Sequence, residues 1–157
     1  MNKYWSKLLD GLEPYVPGEQ PKDRKYIKIN TNENPYGPSP KVLEAIRSEI
    51  GDELKLYPDP DCEELVAAAA EYYGVNKNQV FPGNGSDEVL AFAFMAFFDP
   101  DREIVFADIT YTFYPVYATL FNIKYRLIPL TPDFKLPEEA FYNSEGGVVI
   151  ANPNAPT

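Results

Sequence analysis

The chain has 157 residues, 45% hydrophobic and 15% aromatic, which is enough apolar material for one ordinary domain with a core. Fourteen basic against 24 acidic residues leave a formal charge of −10, which opposes binding to nucleic acid and to anionic membrane surfaces. A single cysteine, Cys62, and no histidine exclude an internal disulfide, a zinc site and a histidine-based triad, so base chemistry falls to lysine, a carboxylate or a cofactor.

In chain order, residues 1–38 read as an arm rather than a packed unit. Pro14, Pro17, Pro21, Pro35 and Pro38 repeatedly forbid helix continuation, and only residues 26–29 have the pattern of a short strand. Within the arm, Tyr15 and the polar run Asn30-Thr31-Asn32-Glu33-Asn34-Pro35-Tyr36-Gly37 offer hydrogen-bonding groups; a solvated loop is the plain reading of both. Residues 39–157 follow as a second region. Ser39 is expected to cap a helix with Pro40 at its first position. Val42, Leu43, Ala45, Ile46 and Ile50 recur at helical spacing until Gly51, so one face should pack on a core. Pro58 and Pro60 stiffen the loop that carries Tyr57. Asp61 and Glu64 have capping-box spacing for a second helix, with Leu65, Val66, Ala69 and Tyr73 on its apolar positions and Gly74 at its end.

Residues 80–82 are predicted to form a short apolar strand that breaks at Gly83-Asn84-Gly85 and runs into a helix capped by Ser86. Glycines there allow positive φ or close approach, and a helix start presents unpaired N–H groups with roughly half a positive charge, which suits a phosphate. The third glycine of a dinucleotide fingerprint is replaced by Glu88, and the Gly-Lys-Ser/Thr of a nucleotide P-loop is missing. A tight turn without ligand remains the alternative. The helix over 86–98 is apolar on nearly every side (Val89, Leu90, Phe92, Phe94, Met95, Phe97) and is expected to be buried.

Strands are predicted over 103–107, 125–130 and 147–151, with helices over 113–121 and 137–142 between them. The alternation argues for an α/β fold with a mostly parallel sheet covered by helices on both faces. Ligands in such sheets sit beyond the carboxyl ends of the strands, which places Gly83 to Asp87, Asp108 to Thr112 and Asn152 to Thr157 on one rim. Tyr111 can lay its ring over an aromatic ligand there, or serve as a core or lid tyrosine.

The motifs Asn32-Glu33-Asn34-Pro35-Tyr36-Gly37, Tyr57-Pro58, Gly83-Asn84-Gly85-Ser86-Asp87-Glu88, Thr110-Tyr111 and Asn152-Pro153-Asn154-Ala155-Pro156-Thr157, in this order, resemble the fold-type I aminotransferases that use pyridoxal 5'-phosphate (PLP), most closely the histidinol-phosphate aminotransferases among them. The resemblance implies the incomplete large domain of such a transferase, preceded by an arm that makes dimer and substrate-pocket contacts. It implies that backbone amides of Gly85, Ser86 and Asp87 bind the cofactor phosphate, that Tyr111 stacks on the pyridine ring, and that Tyr57 reaches the phosphate of another subunit's cofactor in a homodimer. Tyr15, Asn32, Glu33 and Asn34 would line the substrate pocket. Ala155 stands where the family usually carries the asparagine that contacts the cofactor's ring oxygen; Asn154 is assigned that role, with Asn152 as the alternative.

The lysine that holds the cofactor covalently in this family has no counterpart among the 157 residues, so no catalytic residue is assigned and the chain reads as the N-terminal part of a longer enzyme. The implied reaction is transamination between L-histidinol phosphate and the 2-oxo acid 2-oxoglutarate, a step of histidine biosynthesis. A relative such as threonine-phosphate decarboxylase or an aromatic aminotransferase is the alternative within the fold, and a non-catalytic phosphate-binding or dimerisation module is the alternative outside it. No apolar run approaches the ~20 residues of a membrane span and residues 1–10 lack a signal-peptide core, so no membrane and a cytoplasmic setting are expected.

Overall fold

A computed structural model describes residues 3–12, 16, 18–155 and 157. The chain forms two compact units, Met1–Glu13 with Gly83–Thr157, and Pro14–Pro82. They are called here the sheet unit and the helical unit. No helix among the described residues is long and apolar enough to cross a membrane.

The sheet unit is built on three parallel strands, β1 (Ile104–Ala107), β2 (Tyr125–Ile128) and β3 (Gly147–Val149), in the order β2-β1-β3. Ile104 pairs with Tyr125 on one side and with Gly147 on the other. All four residues of β1 are buried, as expected of a central parallel strand lined on both faces. Its alternating side chains define two cores. Ile104 and Phe106 face α3 (Gly85–Phe97) and α4 (Phe113–Leu120), through Phe94, Tyr114, Tyr117 and Ala118. Val105 and Ala107 face the short α5 (Glu138–Phe141) through Phe141. Helices therefore cover both faces, as the strand and helix alternation implies.

Aromatic contacts fix α3 to α4. Phe94, 1% exposed, stacks on Tyr114 at 5.9 Å between ring centres and meets Tyr117 at 5.4 Å and Phe98 edge-on at 5.2 Å. Such pairs contribute about 0.5–1.5 kcal/mol each beyond area burial. A turn of 3-10 helix at Lys7–Gly11, capped by Ser6, also lies against α4. The expectation of a fully buried α3 is corrected: Phe92, Met95 and Phe97 are exposed, because only the face carrying Leu90, Ala91 and Phe94 meets the sheet and α4.

The helical unit holds α1 (Pro40–Ser48), α2 (Glu63–Tyr73) and two turns of 3-10 helix, Asp52–Lys55 and Lys77–Gln79. Ser39 caps α1 as its sequence implies, its hydroxyl accepting from the Val42 N–H at 3.3 Å. The expected core contact of α1 is not made within the unit: Val42, Leu43, Ile46 and Ile50 are all exposed. The cap of α2 also differs. Asp59, not Asp61, turns its carboxylate to the N–H groups of Glu63 (2.6 Å) and Asp61 (3.0 Å), because Cys62 at the N-cap adopts left-handed backbone and its side chain makes no capping bond. Gly74 ends α2 at φ +67°, as expected. Residues 26–29 and 80–82 are not strands. Ile27 and Ile29 are almost wholly exposed.

Candidate active site

Residues 83–88 carry the local geometry. Gly85 opens α3 at φ +83°, a conformation that costs an L side chain, and no atom lies within 4 Å of where its Cβ would be. Gly83 is required by close approach, since a Cβ there would sit 2.7 Å from Val89 Cγ2. The N-cap is Asn84 rather than Ser86, and its side chain makes no capping bond. Instead Glu88 folds back, its carboxylate accepting from the Asn84 N–H at 2.7 Å. Gly85 donates its own N–H to the Gly83 carbonyl at 3.0 Å. The N–H groups of Ser86 and Asp87, in the first turn of α3, have no acceptor among the described residues. Of the three amides expected to meet a phosphate, two are thus available.

Two tyrosines converge on Asp87. Tyr111, in the loop after β1, donates its hydroxyl hydrogen to the Asp87 carboxylate. Tyr117, one turn into α4, donates to the Asp87 carbonyl oxygen at 3.0 Å, with the carboxylate at 3.4 Å. The ring of Tyr111 stacks on Phe113 at 5.7 Å and meets Tyr114 edge-on at 5.6 Å. Burial first, and the charge and hydrogen bond of Asp87 next, push the Tyr117 phenol up to about 12. Burial alone raises Tyr114. Both acidic groups of the α3 first turn are therefore held by protein donors, Asp87 by phenols and Glu88 by a backbone amide.

Asn154 joins the loops after β1 and β3. Its Oδ1 accepts from the Thr110 hydroxyl at 2.8 Å, while its Nδ2 donates to the Ile109 carbonyl (2.9 Å) and to Thr157 Oγ1 (2.6 Å). Both amide hydrogens are committed, so Asn154 acts as a strut that shapes the Thr110–Tyr111 loop. Asn152, in the same segment, makes no hydrogen bond among the described residues and is the alternative donor for a ligand. A cavity of about 380 Å³ opens beside this strut, walled by Ala107, Leu130, Phe134 and Val149 with Thr110 and Asn152 at its polar side.

The remaining site candidates lie in the helical unit. Tyr57 stands fully exposed on the loop between Leu56 and Pro58. Thr31 and Asn32 both have positive φ, 61° and 52°, a turn that asparagine tolerates and threonine does not favour. Glu33 is ion-paired with Lys28, whose hydrogen bond holds the carboxyl below its usual range. Asn34 Oδ1 accepts from the Tyr36 N–H at 3.0 Å, closing an Asx turn. Tyr15 lies outside the described residues.

The donor set of the sheet unit suits a phosphate. Two unpaired N–H groups at the positive end of a helix, open space over Gly85 and an aromatic ring on the adjoining loop are what a phosphorylated aromatic ligand needs. Tyr117 is the residue that sequence reading did not single out. Its signal was a tyrosine on the core face of a helix, beside Tyr114 and Ala118, where a buried hydroxyl must find an acceptor.

Residues 24–157 match the model of the family described as Aminotransferase class I and II. The chain is 61% identical over 157 residues to the histidinol-phosphate aminotransferase of Clostridium acetobutylicum, covering 100% of this chain and 45% of that protein. It is 59% identical to the histidinol-phosphate aminotransferase of Clostridium beijerinckii, covering 100% and 44%. The crystal structure of histidinol-phosphate aminotransferase from Sinorhizobium meliloti in complex with pyridoxal-5'-phosphate superposes with a TM-score of 0.71 at 27% identity, covering 81% of this chain and 35% of that one. The chain thus spans less than half the length of the curated relatives it matches.

Proposed function

This chain belongs to the aminotransferase class I and II family, and from that premise we propose that the protein carrying it transfers the amino group of L-histidinol phosphate to 2-oxoglutarate with PLP as cofactor. The observation that supports this reading best is the junction at Asp87: the free amides of the first α3 turn and the ring of Tyr111 are joined by a hydrogen bond at the carboxyl end of the sheet. The identity of 61% to a named histidinol-phosphate aminotransferase supports the choice of amino donor.

When bound, PLP would supply an electron sink for the substrate's reacting carbon. What this chain contributes is binding and orientation. The Ser86 and Asp87 N–H groups would hold the phosphate, whose charge the α3 dipole favours, and Tyr111 would hold the pyridine ring. Asn154 holds the Thr110–Tyr111 loop, and Asn152 is the side-chain donor nearest in sequence for the ring oxygen. Tyr57 as a contact to another subunit's cofactor phosphate, and Tyr15, Asn32, Glu33 and Asn34 as substrate contacts, are proposals carried by the family's motifs alone. A homodimer accords with the exposed apolar side chains of the helical unit, Leu56, Leu65, Tyr72 and Tyr73 among them. The cytoplasm is the proposed setting.

The test is a coupled assay of the full-length protein reconstituted with PLP, measuring glutamate formed from 2-oxoglutarate. Glutamate formation with L-histidinol phosphate, at a kcat/KM above that with aromatic amino acids or threonine phosphate, is expected. Absence of turnover, or preference for one of the other amines, would contradict the assignment.

A further inference from the structure

Tyr117 is 5% exposed, its ring set between Phe94 at 5.4 Å and Phe113 at 5.8 Å. Its hydroxyl leaves that apolar packing at one residue, Asp87, and takes the main-chain carbonyl of the first α3 turn as its nearer acceptor, 3.0 Å against 3.4 Å for the carboxylate. Tyr111 holds the carboxylate of the same residue. Asp87 is therefore gripped at backbone and side chain by two tyrosines, one before α4 and one within it. Asp87 itself is exposed, and among the described residues no other side chain donates to its oxygens.

We infer that Tyr117 is a positioning residue for the cofactor: by donating to Asp87 it holds the Ser86 and Asp87 amides and the ring of Tyr111 as one body with the core of the sheet unit. The inference rests on the proposed PLP site and adds to it a residue that touches neither phosphate nor ring. Its physical basis is leverage. The amides are at a helix end, which frays by nature, and among the described residues the side-chain hydrogen bonds that tie that end to the rest of the sheet unit come from the two phenols. Losing one of them leaves the helix intact but lets its first turn and Tyr111 reorient independently. The cost then appears in ligand binding rather than in folding.

The variant Tyr117→Phe keeps the ring and its packing, and water can replace the lost donor at exposed Asp87, so the fold is preserved. In the full-length apoprotein titrated with PLP, Y117F is expected to bind about tenfold more weakly than wild type, the scale of one hydrogen bond. The visible circular dichroism of the bound cofactor should also weaken, which a purely structural role would not produce. An apoprotein melting temperature near wild type is expected alongside. Equal PLP affinity and an unchanged dichroic band would overturn the inference.

A second variant tests the other half of the same clamp should Y117F fold poorly, because it keeps the carbonyl that Tyr117 binds and removes the carboxylate that both phenols reach. Asp87→Ala removes a negative charge beside a dianionic phosphate, so charge alone would tighten PLP binding. The clamp requires the opposite, a weaker complex; tighter or equal binding would count against it. Failure of wild type to bind PLP is a separate outcome, which ends the cofactor reading and this inference with it.

Discussion

The hydroxyl of Tyr111 donates to the carboxylate of Asp87, 24 residues earlier in the chain, and so ties the loop after β1 to the first turn of α3. On the proposed reading one side chain meets two requirements, a ring for the ligand and a hydroxyl for the helix. Tyr111→Ala loses both and is expected to weaken PLP binding by ten- to a hundredfold in the full-length protein. Tyr111→Phe keeps the ring and should lose less. Equilibrium dialysis measures both, and unchanged affinity in the alanine variant would remove Tyr111 from the site.

The Tyr117 phenol gives a pH signature. In the unfolded chain it titrates near 10, and in the folded protein it is pushed up to about 12 by burial and by Asp87. The folded state therefore binds the proton more tightly. The resulting stability is full below pH 10 and is lost as pH rises toward 12. Tyr114, raised by burial, acts in the same direction. Urea titrations across that window should show falling stability in wild type and a shallower fall in Y117F. Parallel curves would contradict the shift.

Asp59 caps α2 through its carboxylate, and hydrogen bonds from the Glu63 and Asp61 amides hold its carboxyl below the usual range. A depressed carboxyl contributes above its unfolded value, and the contribution is lost as pH falls through the folded one. Asp59→Ala should lower the melting temperature at neutral pH, and the difference from wild type should shrink in acid. Asp61→Ala, which removes no cap, should leave the melting temperature near wild type.

Gly85 is held at φ +83° with open space around it. Gly85→Ala should cost roughly 1–2 kcal/mol from backbone conformation alone, measured by denaturant unfolding. An alanine at that position without loss of stability would mean that the turn relaxes away from the geometry described.

The strands and helices of the sheet unit were legible because their signals are local: β-branched runs such as Ile104 to Ala107, and turn residues between them. The rim was legible for a topological reason, since parallel strands send their outgoing loops to one end. The interactions that organise that rim were not. Glu88 reaching back to Asn84, and Tyr117 reaching across to Asp87, depend on side-chain directions that periodicity does not encode. Asp59 outcompeted Asp61 as a cap because Cys62 turned left-handed, a choice no spacing rule contains. The strand readings of residues 26–29 and 80–82 failed because composition describes a segment's own propensity and not the main-chain ladder that makes it a strand. The exposed apolar faces of α1 and α3 show the same limit: amphipathicity says that a face wants cover, and is silent about what supplies it.

The most direct measurement is a crystal structure of the full-length protein with PLP bound. The phosphate should accept hydrogen bonds from the Ser86 and Asp87 amides, at about 2.7–3.2 Å, with the Tyr111 ring against the pyridine. A phosphate seated away from the start of α3, or a Tyr111 ring turned from the cofactor while still bonded to Asp87, would contradict the account.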